Sequence, residues 1–114
     1  MSQNRNKLID LFIGNISNSV VHRILEKAIE EENIRKHYDK EFITSLEIAK
    51  KYRNKINPMN KPLPKKDIAK IKEKIKKKAE AELKLRVSKG YTNINLESVE
   101  PIINELLSET NVSE

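Results

Sequence analysis

Cysteine is absent from the chain. That excludes a disulfide framework, a thiolate metal site and a cysteine nucleophile. Tryptophan is absent too, and aromatic residues make up only 4% of the sequence. The aromatic-rich sheet motif on which many RNA-binding domains stack bases therefore has no counterpart here. Two glycines and four prolines fit neither a collagen-like nor a Gly/Pro-rich disordered chain. Long hydrophobic runs are missing: a stretch such as Leu11-Phe12-Ile13 is far below the length of a bilayer span. The opening Met-Ser-Gln-Asn-Arg-Asn has no apolar core of a secretory signal, so a cytoplasmic address and no membrane partner are expected. No phosphate-cradling glycine loop, dinucleotide fingerprint or nucleophile elbow occurs. Asp is confined to Asp10, Asp39 and Asp67, and His22 and His37 lack further ligands at metal-binding spacing. The expectation is a non-enzymatic protein that uses neither metal nor cofactor.

Charge is what the chain has in quantity. Lys and Arg number 23 against 17 Asp and Glu, so the formal charge is +6 over 114 residues, of which 35% are charged. The excess is local. Lys50, Lys51, Arg53, Lys55, Lys61, Lys65, Lys66, Lys70, Lys72, Lys74, Lys76, Lys77 and Lys78 are thirteen cations in one stretch, interrupted by Asp67 and Glu73 alone, a balance of +11. The other ten cations and fifteen acids sum to −5, and Glu30-Glu31-Glu32 and the segment from Glu97 onward are among the acidic parts. A block this basic sets up its own field, whatever the average charge.

Hydrophobic spacing predicts a mainly α protein: one small domain over residues 1–110 with four to five helices, a Pro-rich loop at 56–64 and a frayed tail at 111–114. A short helix is expected from about Asn4 to Phe12, stopped by Gly14. Ser17-Asn18-Ser19 offers an N-cap to a second helix reaching about Asn33, with Val20, Val21, Ile24, Leu25, Ala28 and Ile29 on one side. Thr44-Ser45-Leu46-Glu47 matches a capping box for a helix ending near Lys55. The alternative starts that helix at Asp39 and buries Phe42, Ile43, Leu46, Ala49 and Tyr52. Pro58, Pro62 and Pro64 forbid a regular helix through the loop, and Pro64 suits the first turn of the next helix. There, Ile68, Ile71, Ile75 and Ala79 recur at helical spacing. Beyond Ala79 two readings stand. Leu83, Leu85 and Val87 alternate as in a strand, with a hairpin over 82–96; equally, Leu83 and Val87 continue the helical stripe and Gly90 caps it. A last helix is expected from an N-cap at Ser98 to about Ser108, burying Val99, Ile102, Ile103, Leu106 and Leu107.

The run Glu41-Phe42-Ile43-Thr44-Ser45-Leu46-Glu47-Ile48-Ala49-Lys50-Lys51-Tyr52 resembles the start of the helix-turn-helix in winged-helix DNA-binding domains. The likeness covers about a dozen residues. It implies a short strand, a first motif helix over Thr44–Asn54, a recognition helix from Lys65 to about Glu80 and a wing over Leu83–Leu96, with the recognition helix in the major groove. The connection between the two helices departs from that pattern, being a Pro-rich loop of roughly ten residues where the motif has three or four. The recognition helix also offers mostly Lys rather than the Arg, Asn and Gln that read bases in pairs of hydrogen bonds. Even on this resemblance the chain is a phosphate binder more than a sequence reader.

At 100° per residue, Lys66, Lys70, Lys74 and Lys77 fall on one ridge opposite the isoleucines, and Lys72 must snorkel beside them. A solubilising face usually places Glu four residues before Lys, and here only Glu73 stands so, ahead of Lys77. The expected function is weakly sequence-dependent binding of DNA or RNA. The candidate contacts are Lys50, Lys51, Arg53, Lys61, Lys65, Lys66, Lys70, Lys74, Lys77 and Lys78. The alternative is a helical protein–protein interaction module or a subunit of a larger complex. In it, the Ile68/Ile71/Ile75 stripe or the Val99/Ile102/Leu106 face docks on a protein partner or a second copy, and the lysine face meets an acidic protein.

Overall fold

The computed structural model describes residues 5–56, 63–90, 94–110 and 112. Four helices account for most of them: α1 Arg5–Ala28, α2 Glu32–Ile56, α3 Lys65–Ser88 and α4 Val99–Glu109, the last preceded by a single 3-10 turn at Leu96–Ser98. No strand occurs among the described residues. The fold is mainly α with four helices, within the expected number. The hairpin over 82–96 is not formed. Residues 82–88 continue α3, and of the rest of that segment 91–93 lie outside the described residues. Leu83 is fully buried at the end of the stripe of Ile71, Ile75 and Ala79. That burial decides between the two periods, because a strand would break a face already committed to the core. Gly90 follows the helix with φ +103°, and its amide donates to the Val87 carbonyl at 3.0 Å, the left-handed stop for which glycine is suited.

The first expected boundary is also corrected. Gly14 does not stop a helix; α1 runs through it, and the expected first and second helices are one. The serines that looked like a cap bond locally or across the packing instead. Ser17 donates its hydroxyl to the Ile13 carbonyl at 2.7 Å, and Ser19 donates to the Phe42 carbonyl of α2 at 3.4 Å. The capping box at Thr44 fails for the same reason. Thr44 lies inside α2 and its hydroxyl donates to the Lys40 carbonyl one turn back, at 3.0 Å. The segment expected as a short strand, Glu41–Ile43, is helical. Phe42, Leu46 and Ala49 are buried and Tyr52 half-buried, but Ile43 is exposed.

The real break falls at 29–31. Glu32 opens α2, where its charge meets the positive end of the helix. So short a connection folds α2 back along α1. Arg23 fastens the pair: its guanidinium lies 3.8 Å from the centre of the Phe42 ring and pairs with Glu26 at 2.8 Å and Asp39 at 3.6 Å. Pro64 starts α3 by accepting from the amides of Asp67 and Ile68 at 2.9 and 3.1 Å. Arg5 then meets Asp67 at 2.9 Å, so α1 and α3 begin together and run parallel. Helix α1 packs against each of the other three helices and is the central element. The expected face of α4 is as read: Val99, Ile102, Ile103, Leu106 and Leu107 are all buried. Ser98 precedes α4 without a side-chain cap, and Asn95 caps the 3-10 turn by accepting from the Glu97 amide at 3.0 Å. Past α4, Val112 is buried and its amide donates to the Leu107 carbonyl at 2.8 Å.

Candidate nucleic-acid interface

Burial of Ile71, Ile75, Ala79 and Leu83 fixes how α3 is turned about its axis. Everything else on the helix follows from that. Lys65, Lys66, Lys70, Lys74, Lys77 and Lys78 are all exposed. Lys66, Lys70, Lys74 and Lys78 form one row, each step rising about 6 Å and turning about 40°. The row begins facing solvent and winds toward α1. Lys70 and Lys74 line a recess of about 310 Å³ between α1 and α3, and Lys78 lines a second of about 430 Å³ further along the same groove.

The lysines divide by their partners. Lys72 and Lys76 both reach Glu100 of α4, at 3.5 and 3.8 Å, and so tie two helices together. Lys77 pairs with Glu73 at 3.3 Å. Lys65, Lys66, Lys70, Lys74 and Lys78 make no ion pair with any described residue. Like charges one turn apart repel by a few tenths of a kcal/mol per pair, and along this row no described carboxylate closes an ion pair with them.

The remaining candidates stand elsewhere. Lys50 is half-buried on α2 and pairs with Glu47 at 3.5 Å, while Lys51 beside it is exposed. Lys61 lies outside the described residues. Arg53 is only 1% exposed and belongs to the interior between the helices, so it offers no surface for a phosphate. Burial pushes its guanidinium below the ordinary value, yet an arginine stays charged. Its place in the core was not legible, because it depends on how α2 meets elements distant in sequence.

Reading the sequence also missed the opposite wall of the groove. On α1, Asn6, Asp10, Gly14, Asn18 and His22 recur every four residues, wind about the helix as the lysine row does, and line the two recesses. Placing a helix stop at Gly14 hid that stripe. His22 is set between two helices. Its Nε2 meets Glu41 at 3.2 Å, its ring lies 5.7 Å from that of Tyr38, and it borders the larger recess. Burial pushes its pKa down, against the opposing pull of Glu41.

The apolar stripes considered for partner docking are already covered. Ile71, Ile75, Val99, Ile102 and Leu106 are buried in the chain's own core, and Ile68 is half-buried against it. Among the described residues no group of three or more His, Asp or Glu could hold a metal ion, and no helix is long and apolar enough to cross a membrane. No family model, curated protein or solved structure matches the chain.

Proposed function

We propose that the protein is a non-enzymatic nucleic-acid-binding module that contacts phosphates through α3. The observation that carries this reading is the row Lys66, Lys70, Lys74 and Lys78, exposed and without ion pairs to the described residues. A compact ammonium on a flexible stem suits phosphate contact and reads little sequence. The core stripes that could have docked a protein are covered, while the lysine row stays exposed.

Fluorescence anisotropy with labelled DNA and RNA, titrated with salt, tests the reading. If roughly 4–6 phosphates are neutralised, log K falls against log salt with a slope of about −4 to −5 on duplex DNA. Changing Lys66, Lys70, Lys74 and Lys77 together to Glu leaves the chain folded and abolishes binding. A salt-independent affinity, or none at low salt, refutes the proposal.

A further inference from the structure

The groove between α1 and α3 has two unlike walls. The α1 wall carries amides, a carboxylate and an imidazole: Asn15, Asn18, Asp10 and His22. The α3 wall carries ammonium groups: Lys70, Lys74 and Lys78. Between the ion pairs at its ends, Arg5 with Asp67 and Glu82 with Arg86, this difference in polarity is kept along the groove from Lys70 to Lys78. From Asn6 to His22 the α1 wall is about 24 Å long at 1.5 Å per residue.

Two details say what such a groove is shaped for. Gly14 is a notch in the α1 wall, since a Cβ added there would meet nothing within 4 Å. Asp10 borders both recesses and makes no ion pair with a described residue. The other two carboxylates of the groove are held, Asp67 by Arg5 at 2.9 Å and Glu82 by Arg86 at 3.1 Å.

We infer that the groove takes a single strand of nucleic acid, its phosphates along Lys70, Lys74 and Lys78 and its base edges toward α1. This rests on the nucleic-acid reading above and narrows it. Ammonium groups spaced about 6 Å along the axis can follow the backbone of an extended strand. Asp10 repels phosphate and accepts hydrogen bonds, so it turns the backbone toward α3 and draws amino groups toward α1. At position 4 cytosine presents such an amine where thymine presents a carbonyl, an acceptor that Asp10 repels, so cytosine is preferred to thymine. A duplex keeps its bases paired and stacked. It reaches the outer lysines, Lys66 and Lys77, but cannot enter the recesses.

The test is anisotropy of the full chain at low salt and neutral pH. The probes are labelled oligo-dC and oligo-dT of about 12 nucleotides and a mixed-sequence duplex. Gly14→Leu fills the notch, and Asn18→Leu, at an exposed position, removes an amide without altering the core; circular dichroism verifies that each is folded. The expected order is oligo-dC, then oligo-dT, then duplex. Each Leu variant weakens the single strands about tenfold, through a lost hydrogen bond or a blocked recess, and leaves the duplex unchanged. Asp10→Asn, which can both donate and accept, removes the preference for oligo-dC. Folded Leu variants that bind single strands as the parent does overturn the inference, as does a duplex bound as tightly as oligo-dC. In either case the four-lysine reversal still abolishes duplex binding, and the broader proposal stands. No binding of any probe at low salt overturns both.

Discussion

Gly14 sits mid-helix with open space where a side chain would go. A glycine there costs about 0.5–1 kcal/mol relative to alanine, because the unfolded chain loses more freedom on folding. Gly14→Ala is therefore expected to stabilise the free protein by about that amount, and thermal unfolding should show a rise of roughly 4 °C or more per kcal/mol. His22 makes the opposite kind of prediction. Burial, only partly countered by Glu41, lowers its pKa from the ordinary 6.5. Tyr38 also flanks the ring, Glu82 and Arg86 border the same recess, and Glu41 is shared with His37 at 3.1 Å. Below pH 6.5 the unfolded chain takes up a proton that the folded site resists, so acid favours unfolding. The His22 contribution to stability is intact above pH 6.5 and is lost as pH falls toward the lowered folded value. Urea midpoints measured from about pH 7 down to about pH 5 should decline, and less steeply in His22→Gln. Equal slopes in the two proteins would show that His22 is not the group responsible.

At the scale of the helix, α3 is where charge works against the fold. Lys74 has Lys70, Lys77 and Lys78 at helical neighbour positions and no acid among them. Lys74→Glu turns those repulsions into attractions, at a few tenths of a kcal/mol each. It should stabilise the free chain by about 0.5–1 kcal/mol while weakening binding to nucleic acid, read by urea unfolding and anisotropy on the same preparation. This helix was legible in the sequence because its apolar stripe is long and unbroken, and the exposure of its lysines follows from that stripe alone. The faces of α4 were legible for the same reason. Helices α1 and α2 were not, because Gly14, Ser17, Ser19 and Thr44 look like punctuation when read locally. What overrides them is tertiary: Ser19 faces Phe42 across the α1–α2 packing, and ten buried residues of α1 hold the helix continuous through its glycine. The groove was out of reach for a further reason. It needs α1 and α3 side by side, and the contact that aligns them, Arg5 with Asp67, spans 62 residues.

Over the whole molecule, salt must act in opposite senses on folding and on binding. The free chain carries +6, with +11 of basic excess between Lys50 and Lys78, so its compact state is opposed by self-repulsion. The Debye length shrinks from about 10 Å at 0.1 M to about 3 Å at 1 M, which is shorter than one step of the Lys66–Lys78 row. Added salt therefore relieves the row. The ion pairs it weakens in exchange, such as Lys72 and Lys76 with Glu100, are exposed enough to contribute little. Thermal stability of the free protein is expected to rise with NaCl over this range, while affinity for nucleic acid falls steeply. In the four-lysine-to-Glu variant both dependences should flatten together, since the same side chains cause both. A parent protein whose melting temperature falls with salt would mean that the lysine block is already neutralised within the fold, and phosphate binding by α3 would lose its physical basis.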